Sequence, residues 1–426
     1  MWKLLQLMPL ALLLSLTACS LEEPTAPTAP ADPSSRPVSA LAAATLVGST
    51  VVDAERTVGR YASLVSMPDG RQHVTYYDRT HTALKYATCG SGCTTAANWQ
   101  KGTIAGAAGA LSDAGLFSSL EVDATGRRHV IYYERAMDRT RPTLQYATCL
   151  DRSNCVTSAG WQRVTIDATA SPPSSDATNS VQETSFAITP DGRRHVSYTD
   201  RSAPGLKYAT CQTNCTVASS WRRVLVDTPS GSHPSIAVGR DGRLHISYLG
   251  NLGGGYVLRY ATCLTNCTTS ANWQKRTIDA APSSALFGTS LAVGLFGVLH
   301  VGYYSELRGG SLGDLKYARC AADCTNTTKW QRVTVDAIGD AGRYPSIAVG
   351  GDSRVHISHY DAATGDLDYA SCSVNCLDPR SWTSPHVDGK FANVGQYTSL
   401  ALGGRLVHIG YYDQTNGDLK YLELSP

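Results

Sequence analysis

The chain has 426 residues, a formal net charge of +2, 42% hydrophobic and 17% charged residues, and no long block of like charge. That balance argues against nucleic acid and anionic membrane surfaces as partners. Phenylalanine is scarce at 5 while tyrosine at 22 and glycine at 38 are plentiful, a composition suited to short strands and tight turns rather than helices.

The chain opens on "MWKLLQLMPLALLLSLTACS", in which Lys3 supplies a charged start, an apolar run follows, and small residues lead to a cysteine. This predicts an export signal over residues 1–18, its apolar run too short for a permanent span. Leu16-Thr17-Ala18-Cys19 resembles the lipobox of bacterial lipoproteins. The resemblance implies lipidation of Cys19, export, and anchoring to the cell envelope, with Ser20 in place of Asp pointing to the outer membrane. Membrane contact is then expected through the lipid only. Residues 19–45 mix Pro with Ala, Thr and Ser and read as an extended tether.

From residue 46 to 426 one pattern recurs, marked by His73, His129, His195, His245, His300, His356 and His408 at intervals of 50 to 66 residues. Each repeat predicts four short strands. The first begins at Ser63, Ser119, Ser185, Ser235, Ser290, Ser346 or Ser399; a turn such as "PDGR" leads to the second, typified by "HVTYYD"; the third is "LKYATC"; the fourth follows a Trp, as in "WQRVTID". Alternating polarity with β-branched and Tyr enrichment supports strands throughout. Such four-stranded repeats match the blades of a β-propeller, in which each sheet is buried between its neighbours. The last repeat stops at "LKYLELSP", while "GSTVVDAERTVGRYASL" around Val51 matches "KWQRVTVDAIGDAGRYPSI" around Val335. The prediction is an all-β, seven-bladed propeller whose last blade is completed by the N-terminal strand, so that the seam has no open edge.

The 13 cysteines divide into Cys19 and six pairs, Cys89/Cys93, Cys149/Cys155, Cys211/Cys215, Cys263/Cys267, Cys320/Cys324 and Cys372/Cys376. Each pair lies three residues after a Tyr and six before a Trp. In an exported chain these predict disulfides across the turn between third and fourth strands, in preference to zinc ligands, which would need two more donors per site. The repeated His is expected to be a buried structural imidazole, bonded between blades or to the "DGR" turn, and the repeated Trp a cover on the outer strand.

Function is expected where the repeats diverge, on the face carrying the second-to-third loops and the blade-to-blade connections. Candidate ligand-binding residues there are Asp78, Arg79, Glu134, Arg135, Asp200, Arg201 and Arg343, with Tyr61, Phe117, His233, Tyr344 and Tyr397 from the series that also holds Glu183 and Gly288, two residues before each repeat Ser. Aromatic faces among charged groups suit a sugar or a polar peptide. Neither a cofactor nor a metal is expected, no "DxDxDG" loop occurs, and the chain is expected to be a monomer.

The repeat "SIAVxxDGRxHISYYD…GDLKYATC…W…TVD" resembles the blades of secreted bacterial propellers grouped with the sialidase-like, or BNR-repeat, superfamily. The resemblance covers nearly all of the mature chain, although the Asp-box Ser-x-Asp-x-Gly-x-x-Trp is not present as such. Sialidases combine an arginine triad, a Tyr nucleophile with a Glu partner, and an Asp acid. Arg60, Arg79, Arg135, Arg201 and Arg343, with Tyr61, Tyr344 or Tyr397, supply such chemistry, but no motif transfers the roles residue by residue. The expectation is a lipid-anchored, non-catalytic platform for a glycan or a protein. The alternatives are a sialidase-like glycoside hydrolase or lyase at the channel mouth, and a structural envelope protein without a dedicated ligand.

Overall fold

A computed structural model describes residues 44–106, 112–136, 142–151, 154–170, 183–200, 205–229, 231–253, 255–283, 288–306 and 312–426. The export signal and the tether up to residue 43 lie outside them, and Thr45, read as the end of the tether, already belongs to a strand. The described residues form seven four-stranded antiparallel sheets, each in simple up-and-down order. In blade 1 the strands are Val58–Ser66, Gln72–Asp78, Ala83–Cys89 and Trp99–Ala105. Blades 2 to 6 follow over residues 112–167, 184–227, 232–283, 289–336 and 341–388. Blade 7 combines Val394–Gly403, Leu406–Asp413 and Asp418–Ser425 with the N-terminal Thr45–Asp53 as its outermost strand.

That last pairing sets Thr50 opposite Tyr421 and Val51 opposite Lys420. The seam is packed like the other interfaces: Val52 and Tyr421 of blade 7 share a buried cluster with Val58, Leu64, Tyr76 and Ala87 of blade 1. The inner strands pack side by side around a central channel, and the ring closes where the first meets the last. Seven serines fasten it. Ser399, Ser63, Ser119, Ser185, Ser235, Ser290 and Ser346 each accept, on Oγ, the backbone N–H of the following blade's inner strand, from Leu64, Leu120, Phe186, Ile236, Leu291, Ile347 and Leu400 respectively, at 2.9–3.2 Å.

The His, Tyr, Cys pair and Trp form one device. Each repeat imidazole bonds through Nδ1 to the third-strand Tyr hydroxyl of its own blade, as in His73 with Tyr86 at 2.7 Å and His408 with Tyr421 at 2.6 Å. The imidazoles are thus buried, as expected, but their principal bond lies within the blade; only His129 also reaches a turn carboxylate, Asp123, at 3.0 Å.

All six cysteine pairs form disulfides, Cys89–Cys93, Cys149–Cys155, Cys211–Cys215, Cys263–Cys267, Cys320–Cys324 and Cys372–Cys376, with Cα atoms 5.7–5.8 Å apart. They sit, as expected, in the turn between third and fourth strands. The first cysteine of each pair ends the third strand, and Cys93, Cys155, Cys215, Cys267, Cys324 and Cys376 lie within the connection, ahead of a short 3-10 turn, and none reaches the fourth strand. The physical reason is the Trp that follows. The carbonyls of Cys93, Cys155, Cys215, Cys267, Cys324 and Cys376 accept the Nε1–H of Trp99, Trp161, Trp221, Trp273, Trp330 and Trp382 at 2.8–2.9 Å, so the second cysteine is held where its backbone meets the indole. The Trp ring then packs against the Tyr of the preceding blade, Trp221 on Tyr146 at 5.2 Å and Trp99 on Tyr421 across the seam at 5.1 Å. The disulfide loop therefore orients a side chain that joins two blades.

A second latch uses the first Tyr of the second strand. Tyr76, Tyr198, Tyr248, Tyr303 and Tyr411 donate to Asp53, Asp167, Asp227, Asp279 and Asp388 at the end of the preceding blade's fourth strand, at 2.6–2.8 Å. The same carboxylates meet Lys85, Lys207, Arg259, Lys316 and Lys420 from the third strand. Burial alone would raise the Asp53 carboxyl, yet hydrogen bonds from Lys85 and Tyr76 hold it below its ordinary value.

The inner strands of blades 1, 2, 6 and 7 start earlier than the sequence pattern predicts, at Val58, Ser112, Ala341 and Val394 rather than at the repeat Ser. Two register shifts interrupt each of them. In blade 1, Gly59 at φ +107° and Tyr61 at φ +55° break the alternation that marks a strand in sequence. A Cβ on Gly59 would come within 2.8 Å of Leu419 Cα, so the close approach of backbone to backbone excludes any other residue.

Candidate functional site at the channel mouth

In five of the seven blades the residue two before the repeat Ser is a left-handed residue with a side chain. Tyr61, Phe117, His233, Tyr344 and Tyr397 all have φ between 53° and 56°. Four of the rings form a continuous wedge over adjoining blades: Tyr344 to Tyr397 at 4.7 Å, Tyr397 to Tyr61 at 4.8 Å, and Tyr61 to Phe117 at 4.5 Å between centroids. All four are buried, at 0–5% exposure, so they plug the mouth instead of lining it as free stacking faces. Burial also raises the phenols of Tyr61, Tyr344 and Tyr397 above their ordinary value, keeping them neutral hydrogen-bonding groups.

In blades 3 and 4 the same series carries an acid and an imidazole. Glu183 Oε1 lies 3.2 Å from His233 Nδ1, and the backbone N–H of His233 donates to Glu183 Oε2 at 3.2 Å. The Thr199 hydroxyl donates to the same carboxylate. Gly288 follows in blade 5 without a side chain, and with Tyr344, Tyr397 and Tyr61 it lines a cavity of about 170 Å³ walled by the serine ring. Glu183 was visible in the sequence as a member of this series; its pairing with His233 joins two adjoining blades, and both side chains are buried, at 0% and 3% exposure.

The other candidates are drawn into pairs around the rim. Arg135 binds Asp113 through Nε at 3.2 Å and Nη2 at 2.8 Å, and Tyr77 donates to the same carboxylate at 2.8 Å. Arg343 pairs with Asp340 and lies over the Tyr304 ring, 5.9 Å from its centroid. Asp200 meets Lys207 at 2.5 Å. Asp78 caps its own loop, accepting from the His81 N–H at 3.0 Å and contacting His81 Nδ1 at 2.8 Å. Arg79 is exposed, Glu134 is half-buried beside Arg135 in a groove floored by the fourth strand of blade 2, and Arg60 lies over Tyr412. Arg201 and Cys19 lie outside the described residues. The fold thus brings Tyr61, Phe117, Tyr344 and Tyr397 together, sets His233 against Glu183, and distributes the charged candidates singly around the disc.

No protein-family model matches the sequence. No curated protein matches it significantly. Among solved structures, the chain is similar to a PL25 polysaccharide lyase, an ulvan lyase bound to a -[GlcA(1-4)Rha3S]- unit, with 10% identity, a TM-score of 0.54, and 89% of this chain and 95% of that one covered. It is also similar to polysaccharide lyase Uly1, with 10% identity, a TM-score of 0.51, and 85% and 89% covered. A third is an α-L-arabinanase of Penicillium chrysogenum complexed with arabinobiose, with 11% identity, a TM-score of 0.52, and 89% and 98% covered. At such identities the likeness is one of fold, and it defines the chain as a seven-bladed propeller of the architecture these proteins share. No family model supports the sialidase-like resemblance; the comparisons bear out the propeller architecture.

Proposed function

We propose that the protein acts on a glycan at the loop face of the disc. The observation that carries this reading is the Glu183–His233 pair, an acid and an imidazole 3.2 Å apart in the series where four other blades place aromatic rings. Support comes from the named activities of proteins that share the architecture, polysaccharide lyases and an arabinanase. In a catalytic mode His233 would move a proton to or from a sugar, with Glu183 setting its tautomer. A binding mode draws support from the rim, where Arg135 and Arg343 are held by Asp113 and Asp340 as fixed, preformed donors. The lipobox-like Cys19 and its tether would hold this face at the cell envelope.

The test incubates residues 44–426 with panels of acidic and neutral polysaccharides, reading new reducing ends, ultraviolet absorbance of unsaturated uronates, and retention on immobilised glycan. Turnover that is lost in His233→Asn while the thermal transition persists supports catalysis at this pair. Specific retention without turnover supports the binding mode. Neither retention nor turnover on any glycan overturns the proposal.

A further inference from the structure

The second latch departs from its own pattern twice. Between blades 1 and 2, Ala105 stands in the place of the Asp and Gln145 in the place of the Lys, so anion and cation vanish together. Between blades 5 and 6 the anion Asp336 stays, while four neighbouring positions change at once. His359 stands where five blades carry the bonded Tyr, and Asp368 where the same five carry Lys or Arg. Ser384 stands where blades 1 to 5 carry Lys or Arg, and His386 where they carry Thr or Leu.

The result is a buried His and Asp cluster in place of a buried salt bridge. Asp336, His359 and Asp368 are 5%, 0% and 0% exposed. One ligand atom from each lies within 4.8 Å of the others, and Asp368 belongs equally to a second such group with Asp361 and His386. His386 Nδ1 contacts Asp368 Oδ1 at 2.5 Å, and its half-exposed ring leads from the cluster to solvent. His359 uses Nε2 on the Ser384 hydroxyl at 3.2 Å, while its Nδ1, fully buried, has no hydrogen-bond partner. A buried imidazole nitrogen left unmatched beside two carboxylates is costly, because its lone pair or proton is orphaned and the two acids repel each other in a medium that screens them poorly. A divalent cation resolves both costs at once.

We propose that the interface of blades 5 and 6 is a binding site for a divalent transition metal of the zinc class, with Asp336, His359 and Asp368 as ligands and His386 orienting Asp368. The mixed imidazole and carboxylate donor set suits zinc, cobalt or manganese better than calcium, which takes oxygen ligands. The site replaces the Lys-and-Tyr latch of the other interfaces by a metal latch, and it is independent of the glycan reading.

The full mature chain, stripped with chelator and dialysed, is titrated with zinc and with cobalt. The expected result is about one equivalent of tightly held metal, a thermal transition raised by zinc and lowered by chelator, and visible d–d bands on cobalt loading. The double variant His359→Tyr with Asp368→Lys restores the side chains that the fold carries at five other interfaces and is expected to fold, to hold at least tenfold less metal, and to unfold at a temperature indifferent to chelator. His386→Gln should retain the metal with weaker affinity, by the tenfold or more typical of losing an outer partner. A chelator-indifferent transition in the parent chain with no bound metal would overturn the proposal. Equal metal uptake by parent and double variant would overturn it too, by locating the metal elsewhere.

Discussion

Burial sets the ionisation of the repeat imidazoles. It pushes His73 down to about 3 and His195, His245, His300 and His356 down to about 4. An unfolded histidine titrates near about 6.5, so at about pH 5 the unfolded chain binds protons that the folded chain refuses. Stability must then rise with pH between about 4 and about 6.5, and fall as acid is added across that window. The thermal transition measured from about pH 7 to about pH 4.5 should drop accordingly, and His245→Phe should reduce the slope by up to about one proton. An unchanged slope would remove the imidazoles from the linkage. Carboxylates such as Asp53, held low by Lys85 and Tyr76, act below that window instead. The repeat Trp offers a second residue-scale test. In Trp273→Phe the Nε1–H bonded to the Cys267 carbonyl at 2.8 Å is lost, and denaturant unfolding should report a cost of about 1–2 kcal/mol.

At the scale of the element, the cysteine turn and the N-terminal strand stabilise by different means. A loop as short as Cys211–Cys215 restrains the unfolded chain by only about 2 kcal/mol, so the double variant Cys211→Ala with Cys215→Ala should lose about that much in denaturant unfolding. Deleting residues 44–53 does more, because it uncovers Asp418–Ser425 as a free edge and strips Val52 from the seam cluster. The truncated chain should melt at a much lower temperature than the disulfide variant and self-associate on sizing; a truncated chain with the parent's transition would contradict the closure. The strands were legible because their alternation, turns and cysteine spacing are local signals. The early portions of the inner strands at Val58, Ser112, Ala341 and Val394 were not, since left-handed residues within a strand interrupt the only periodicity that a sequence displays. The cysteine pairs and their turn were legible, whereas the hold on Cys93, Cys155, Cys324 and Cys376 inside the connection depends on an indole that reaches back to each carbonyl.

For the whole molecule, the serine ring repeats one hydrogen bond at all seven interfaces. Ser399 serves the seam between chain ends, and Ser290 serves an interface between consecutive blades, yet both accept one buried N–H. Ser399→Ala and Ser290→Ala should each cost about 1–2 kcal/mol, and near-equal losses in thermal or denaturant unfolding would mark a seam as strong as any other join. A far larger loss at Ser399 would mark the seam as the weak point of the ring. The loop face is organised the other way, by difference: Glu183, His233 and Gly288 interrupt the aromatic wedge at three successive blades. The substitutions at His359, Asp368, Ser384 and His386 could have been found by aligning the repeats column by column, but nothing in that alignment says that His359 and Asp368 meet Asp336 of the blade before, with Ser384 on His359 and His386 on Asp368.

Repetition made the architecture readable from the amino acids alone: the blade count, the strand order, the six cysteine pairs and the N-terminal closure all follow from spacing along the chain, since each is a contact between neighbours in sequence or between an incomplete repeat and its missing piece. The tertiary structure decided what the divergent residues do. It folded Tyr61, Phe117, Tyr344 and Tyr397 into a buried plug, tied Arg135 and Arg343 to carboxylates, joined Glu183 to His233, and gathered Asp336, His359 and Asp368 at one interface. Most of these contacts join different blades or neighbouring strands, so the direction of each side chain is fixed by backbone geometry and by its tertiary neighbour rather than by its place in the pattern.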